Sequence, residues 1–472
     1  MKVLLVNPPT FNHIKSVLPE AVEDERGFNP PLGLLYIAGY LRSYSPEVDL
    51  KVIDCPAEKT SYKEFEKMVK DFLPDVVGVS VMSFTIIDAL MIAGICKNHN
   101  PKTTIVFGGP HVNIYGKETL NLGNVDFIVL GEGEKIFNDL INNLNNEEKL
   151  KQITGLIFFD KNNNYVHTGL PGLIPNLNKL PPPARDVIDN SKYSSVLGTS
   201  KLVTTMMTSR GCPYKCLFCD RPQLGKIFRS LTAEKVISEI KDAMQYGIKE
   251  FLMYDDTFTV DKQRVLDICN KILEEKLDIK WDIRARVNTI DEEILLKLKE
   301  AGCVRIHYGV ESGTQKILNV MRKGITLEQV ENAFKLTRKC GIETLAYFMI
   351  GNPSETKEDI EQTIKFTKKI KPDYVHITAT MPFPATDMYR MALDNKILDH
   401  DVWLEFAKNP TLDFNPPLWE EFADSNELYQ YIKKAYRQFY FRPTYIIKRL
   451  LALKSFDEFI IKAKAGFKML KI

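Results

Sequence analysis

Between Thr208 and Pro222 the chain reads TSRGCPYKCLFCDRP, which sets Cys212, Cys216 and Cys219 in C-x3-C-x2-C spacing. Thiolates are the usual ligands of iron–sulfur clusters. Three of them in one short loop hold three irons of a cubane and leave the fourth open to an exchangeable ligand. Tyr214 and Phe218 are placed to screen such a cluster from water, and Arg210, Lys215 and Arg221 to offset its negative charge. A structural zinc site is the competing chemistry. It asks for four ligands, usually in two separated pairs, and no histidine lies near this loop. Buried thiols that merely pack are the third possibility, and Cys269, Cys303 and Cys340 read that way.

The loop follows the apolar run LVTTMM, the first of six similar runs from Lys201 onward; the others are EFLMYDD, KWDIRAR, CVRIHYGVE, ETLAYFMIG and YVHITATMP. Helical stretches such as AEKVISEIKDAMQY and EQVENAFKLTRKCG separate them. Six such units make a partial βα barrel, whose active site lies at the carboxyl ends of the strands. Polar groups collect at those ends: Asp255 and Asp256 in YDDTFT, Glu311, Ser312 and Gly313 in GVESG, Gly351, Pro353 and Glu355 in IGNPSET, and Pro382, Pro384 and Thr386 in MPFPATDMY. Arg284 and Arg286 alternate along the third strand and so share a face. That face is expected to point inward, where an arginine pairs with a carboxylate. Helix capping would account for Ser312, Thr326 or Thr356 taken singly. The whole ordered set behind the cysteine loop asks for more than capping.

The first part of the chain alternates differently. KVLLVN, DLKVID, DVVGVSV, TTIVFGG and DFIVLGEG are short buried strands, and GLLYIAGYLRSY, YKEFEKMVKDF and IIDALMIAGICKNH are helices between them. This is a parallel sheet covered on both faces, with any ligand beyond the strand carboxyl ends. Asn7-Pro8-Pro9, Ser80 to Thr85, Gly108-Gly109-Pro110-His111 and Gly131-Glu132-Gly133-Glu134 stand there. Glycines at those ends let a large ligand approach the backbone, though every βα turn uses some glycine. No G-x-G-x-x-G follows the first strand, which excludes a standard dinucleotide site. Between the two parts, residues 146–200 hold a hairpin pattern and the proline-rich crossing LNKLPPPARDVIDNSKY, for which a spacer is an adequate reading.

A chain of 472 residues with 26% charged and 44% hydrophobic residues reads as globular, in two to four domains. The net charge of +2 gives no global pull toward nucleic acid. Eight cysteines without a paired framework, a short strand-like start and no apolar run of spanning length point to the cytoplasm.

The cysteine loop resembles the signature of the radical S-adenosylmethionine (SAM) enzymes. GGPH, LGEGE and PPLGLLYIAGYLR, read with it, resemble the cobalamin-binding members, which include hopanoid-biosynthesis and bacteriochlorophyll-ring enzymes. The resemblance covers roughly residues 1–450. It implies an α/β fold: a Rossmann-like cobalamin-binding domain (1–145), a linker (146–200), a partial (β/α)6 radical SAM barrel (201–390) and a mainly helical carboxyl-terminal region (391–472). It implies a [4Fe-4S] cluster on Cys212, Cys216 and Cys219, SAM near Asp255, Asp256, Arg286, Glu311, Ser312 and Gly351, and cobalamin near Ser80, Gly108, Gly109, Gly131 and Glu132. The D-x-H-x-x-G motif that gives cobalt a protein histidine is absent, so neither His13 nor His111 is expected as its ligand. The implied activity is radical C-methylation of a hydrophobic small molecule, with cyclisation as the enzymatic alternative and a cluster-containing cobalamin sensor or carrier as the non-enzymatic one. The implied electron donor is an external flavodoxin or ferredoxin. Cys55 and Cys96 are too few for the second cluster that methylthiotransferase relatives carry.

Residues 442–472 hold eight basic and two acidic residues, with apolar residues from Ile446 to Leu470 at helical steps. A basic amphipathic helix suits either packing on the barrel or peripheral contact with an anionic membrane.

Overall fold

The computed structural model describes residues 1–14, 28–195, 197–198, 200, 202–220 and 225–451. Strands β1 (Lys2–Asn7), β2 (Asp49–Asp54), β3 (Val76–Ser80), β4 (Thr104–Gly108) and β5 (Phe127–Val129) pair in parallel in the order β2-β1-β3-β4-β5. Val3, Leu4, Leu5 and Val6 of β1 are all buried, which is why this strand is an unbroken apolar run rather than an alternating one. Helix α1 (Leu32–Tyr44) and the helix Gly133–Ile141 cover one face through Leu34, Leu35, Ala38, Phe137 and Leu140. Helices Tyr62–Phe72, Ile86–His99 and Pro110–Asn121 cover the other. The hairpin β6 (Leu156–Phe159) and β7 (Tyr165–His167) adds antiparallel to β5, so this part of the linker extends the first sheet.

The second sheet has strands β8 (Val203–Met206), β11 (Glu250–Met253), β12 (Lys280–Ala285), β13 (Cys303–Glu311), β14 (Glu343–Ile350) and β15 (Tyr374–Ala379), parallel and in sequential order. All six apolar runs of the sequence become these strands, and the result is an open, partial barrel. Capping boxes at Thr326 and Thr356 start the helices Leu327–Lys339 and Lys357–Ile370, so those two threonines are helix caps. The edge strand β15 is sealed by helix α3 (Ser425–Tyr440), numbered after α2 (Ala233–Met244). Ile377 and Val375 donate their backbone N–H groups to the hydroxyls of Tyr436 (3.0 Å) and Tyr440 (3.1 Å). The match is geometric: a step of four along a helix spans about 6 Å, close to a step of two along a strand. Covering an open edge in this way blocks strand addition by another chain.

The proline-rich crossing is more than a spacer. It lies directly on α1, where Gly39 leaves room for the Pro182 carbonyl; a Cβ there would collide with that oxygen. Ala184 donates its N–H to the Leu35 carbonyl (3.0 Å). Next to it Arg185, 1% exposed, donates to the Thr204 hydroxyl (2.6 Å), the Thr205 carbonyl (2.9 Å) and Glu239 of α2 (3.3 Å). Tyr36 of α1 donates to the same Glu239 (3.2 Å). Crossing, first domain and barrel therefore share one buried polar network.

The tail begins as α4 (Pro443–Leu451), docked on the barrel by Lys448 to Asp373 (3.0 Å) and Arg449 to Glu343 (3.4 Å). Residues 452–472, the rest of the amphipathic stretch, lie outside the described residues, as does Arg221. Among the described residues no helix is long and apolar enough to cross a membrane.

Candidate active site

The cysteine loop leaves the barrel through a narrow neck. Strands β9 (Ser209–Arg210) and β10 (Arg229–Ser230) pair antiparallel on either side of it. The neck is held from below by Asp255, fully buried, which accepts from the Thr208 N–H, the Thr208 hydroxyl and the Ser209 hydroxyl, each at 2.6 Å. Those contacts occupy its carboxylate, so Asp255 supports the loop instead of facing a ligand. Asp256, the next residue, is exposed in the concave mouth. The surrounding protein, and then the Asp255 charge, raise its carboxyl above the ordinary range.

Within the loop, Leu217 anchors the chain by donating its N–H to the Met321 carbonyl (3.0 Å) and packs with Ile317, Met388 and Trp419. Cys216 is buried, Cys212 and Cys219 half-buried, and all three are free thiols. Arg286, inward as expected, pairs with no carboxylate among the described residues. Its Nη1 points at Cys216 Sγ (3.5 Å), its Nη2 donates to the Lys323 carbonyl, and Tyr214 stacks on its guanidinium (3.8 Å). Lys323 lies over Phe218 (5.6 Å) and pairs with Glu311 (2.7 Å). Arg286 and Lys323 thus bring positive charge to the loop from the barrel, while Lys215, in the loop itself, is exposed. Arg210 brings none, because its charge is spent elsewhere.

Glu311 has φ +74°, and β13 is irregular between Gly309 and Glu311. A side chain at Gly309 would strike both Glu311 Oε1 and Lys323 Nζ, so the glycine lets that pair close. Ser312 is fully buried and bonded to Thr363 (3.2 Å) and Thr314 (3.5 Å), which makes it part of the turn. Gly351, at φ +79°, donates its N–H to Glu355 (2.7 Å), as does Asn352 (2.8 Å). Burial pushes the Glu355 carboxyl up to about 7 against those hydrogen bonds. Thr386 caps the helix Asp387–Asp394. Cys269 and Cys303 are core residues, while Cys340 is only half-buried at a helix end.

Facing the loop, the carboxyl ends of β1, β3, β4 and β5 enclose a cavity of about 220 Å³. Ser80, Gly108, Gly109, Gly131 and Glu132 all line it, together with Gly33, Gly78 and Phe137; the barrel contributes Met207 and Arg210. A Cβ at Gly33 would meet nothing within 4 Å and one at Gly108 only the Val129 carbonyl at 3.7 Å, so both glycines border open space. Gly109 differs: at φ +106° its Cβ would lie 2.8 Å from the Val81 carbonyl, and it serves the turn. Glu132 borders the cavity, yet its oxygens belong to Arg210 (3.0 Å), Arg229 (2.8 Å) and the Ile174 N–H (2.6 Å). Burial opposes its charge, but Arg229 and Arg210 outweigh burial and hold its carboxyl below the ordinary range. Glu134 takes the other arm of Arg210 (2.6 Å). His111 is buried beside Tyr115 with Nδ1 at Ser83 (3.0 Å), and burial pushes its imidazole down to about 4. It supports the loop as a neutral ring.

Sequence reasoning missed Lys323, Tyr254, His307 and Tyr347. Tyr254, His307 and Tyr347 are polar residues in apolar runs and Lys323 lies in the turn MRKG, and no motif marks any of them.

Comparison with known proteins agrees with this geometry. Residues 206–367 match the radical SAM superfamily, and residues 23–141 match the B12 binding domain. The chain is 38% identical over 452 residues to an uncharacterized methyltransferase of Pyrococcus horikoshii, covering 95% of this chain and 94% of that one. It is 26% identical over 426 residues to the anaerobic magnesium-protoporphyrin IX monomethyl ester cyclase of Rubrivivax gelatinosus, covering 88% and 75%. The fold matches the cobalamin-dependent SAM radical enzyme OxsB, solved with aqua-cobalamin and SAM, with a TM-score of 0.75 at 21% identity over 99% of this chain and 72% of that chain.

Proposed function

The chain belongs to the cobalamin-binding radical SAM enzymes, and from that membership we propose that it C-methylates an unactivated carbon of a hydrophobic small molecule, with radical ring closure as the alternative outcome. The observation that carries this reading is the opposition of two features across one mouth: a three-cysteine loop with Arg286 aimed at Cys216, and a glycine-lined cavity on the facing sheet.

Cys212, Cys216 and Cys219 would hold a [4Fe-4S] cluster, Asp256 and the Gly351–Asn352 turn SAM, and Ser80, Gly108 and the cavity they border cobalamin. With these groups bound, the site has hydrogen abstraction by a 5′-deoxyadenosyl radical and methyl transfer as its chemistry. The protein's part is to position and to shield. Arg286 and Lys323 place positive charge at the cysteine loop. The Asp255 contacts fix the loop's neck, and the Arg210 contacts fix the neck to the cavity wall. Phe84 packs edge-on against Phe383 (6.1 Å), which is partly exposed, and against the buried Trp403 (6.0 Å), so the two phenylalanines form an apolar rim from both halves that suits a hydrophobic substrate.

The test is anaerobic incubation of the reconstituted protein with SAM and an artificial reductant or a flavodoxin or ferredoxin donor. Accumulation of 5′-deoxyadenosine is expected, and its absence would overturn the reading. Comparing the lipids and pigments of cells with and without the gene then finds the methylated or cyclised product.

Peripheral membrane contact through the tail is part of the same proposal. Its support is that α4 turns Lys448 and Arg449 to the barrel and leaves Ile446, Ile447, Leu450 and Leu451 exposed. Sedimentation with anionic liposomes should fall when the chain ends near Pro443; equal binding by both forms would remove this part.

A further inference from the structure

Two arginines share the inner face of β12, and the cysteine loop accounts for only one of them. Arg286 serves Cys216. Arg284 lies two residues deeper, about 7 Å further into the barrel. Its guanidinium stacks on Tyr254 (3.8 Å) and lies beside the hydroxyls of Tyr254 and Tyr347. Four other arginines with buried side chains are matched with carboxylates, Arg185 with Glu239, Arg210 with Glu132 and Glu134, Arg229 with Glu132 and Arg305 with Glu343, while Arg286 is matched with the cysteine loop. Arg284 has no carboxylate within 4 Å among the described residues. Asp282, on the same face, is turned to His307 (3.2 Å) and Arg305 (3.7 Å).

The surroundings form a chamber instead of a packed core. Arg284, His307 and Tyr347 on the barrel strands, and Tyr254 just past the end of β11, are only half-buried. Its floor is closed by the linker and by the first domain. Arg305 donates to the Leu197 carbonyl (2.9 Å), the Ser200 N–H donates to Glu250 (2.6 Å), and Asn29 donates to the Tyr254 hydroxyl (2.9 Å). The carboxyl ends of the strands, where the cysteine loop stands, lie on the other side of Arg284 from the Leu197 and Ser200 contacts. His307 is bonded through one ring nitrogen to Asp282 and through the other to the Tyr347 hydroxyl (3.1 Å), which fixes that hydroxyl beside Arg284.

We propose that this chamber is a substrate subsite in which Arg284, flanked by the Tyr254 and Tyr347 hydroxyls, binds an oxyanion, carboxylate or phosphate, carried by an otherwise apolar substrate. The proposal rests on the catalytic reading above for the identity of the mouth. Planar two-pronged donation is what arginine offers to both anions, and the two tyrosines add neutral donors that suit either. The apolar rim then receives the rest of the molecule.

The experiment uses the full chain loaded with cluster and cobalamin, and three probes: octanoate, octyl phosphate and octanol. Equilibrium dialysis should show one of the anions binding at least about tenfold tighter than octanol, the size of one charge-assisted contact. Which anion binds tighter separates carboxylate from phosphate. Arg284→Gln should erase the preference while octanol binding stays. In the unaltered protein, the anionic probe but not octanol should protect Arg284 from phenylglyoxal, read by mass spectrometry, which decides the matter if the variant does not fold. Equal binding of all three probes, no binding of any, a preference that survives in Arg284→Gln, or no protection overturns the proposal. SAM cleavage is measured on the same preparations, so failure of the catalytic reading shows separately from failure of anion binding.

Discussion

Arg210 Nη1 lies 3.0 Å from Glu132 Oε1, and these residues come from opposite sides of the candidate site. Glu132 ends the turn after β5, beside the glycine-lined cavity; Arg210 stands two residues before Cys212, in the neck of the cysteine loop. Both are buried, and Tyr36 of α1 lies 5.3 Å from the Arg210 guanidinium. The position of the loop relative to the cavity is thereby fixed by a short, charge-assisted contact.

Breaking that contact from one side leaves a buried charge. Arg210→Met should lower unfolding stability by about 3 kcal/mol, the usual cost of stranding one partner of a buried pair. Urea denaturation checks the magnitude. A loss below about 1 kcal/mol would mean that Arg229 alone satisfies Glu132 and that Glu134 is relieved by water or a proton.

At the loop itself, Cys216→Ala should remove iron binding and SAM cleavage and leave cobalamin binding intact. Arg286→Gln should keep iron and lower the cluster's reduction potential, since a positive charge near the sulfur favours the reduced, more negative cluster. Iron analysis and redox titration followed by electron paramagnetic resonance read both effects. Normal SAM cleavage by Cys216→Ala would sink the cluster assignment.

On the facing sheet, Gly108→Phe should block cobalamin and spare the cluster, because a Cβ there meets the backbone only at ordinary contact distance, 3.7 Å from the Val129 carbonyl, beside the cavity. Gly109 is a poor choice for this test, as any side chain there strains the turn before it meets a ligand. Cobalamin content after reconstitution should fall at least tenfold in Gly108→Phe. Full occupancy would move the corrin site elsewhere.

Glu355 gives a pH signature. Its folded pKa of about 7 lies above the ordinary glutamate value, so between about pH 4.5 and 7 the unfolded chain has lost a proton that the folded chain keeps. The contribution of Glu355 to stability should fall through that window and level off above it, against a rise from His111, whose imidazole is held down to about 4. Relative to Glu355→Gln, the loss between pH 5 and 8 should reach roughly 2–3 kcal/mol, at about 1.4 kcal/mol per pH unit. Parallel melting of the two proteins across that range would mean that Glu355 is ionised in the fold.

Both sheets were readable as strings of apolar runs, because a strand buried on both faces leaves no other pattern. The cysteine loop was readable because its spacing is local. The roles of Asp255 and Glu132 were not, since each is decided by partners 46 to 97 residues away, namely Thr208, Ser209, Arg210 and Arg229. The same holds for Arg286: alternation along β12 put it on the inner face, but only the fold could give it a sulfur rather than a carboxylate. The crossing misled for a related reason. Prolines mark where helix and strand stop, and they do not tell whether the chain between them is loose or, as at Arg185, buried.

That crossing also bears on how such proteins can be recombined. A chimera that takes its first sheet from one parent and its barrel from another must break the chain between 146 and 200, where Gly39 meets Pro182 and Tyr36 shares Glu239 with Arg185. A junction after Tyr193 would keep Gly39, Pro182, Tyr36 and Arg185 with one parent, and the other parent must then supply Glu239 for Arg185 and Tyr36, and Arg210 and Arg229 for Glu132. A junction before Pro181 keeps Arg185 with its own Glu239 and instead parts Gly39 from Pro182 and Tyr36 from Glu239, so the close fit of the crossing on α1 would be left to chance.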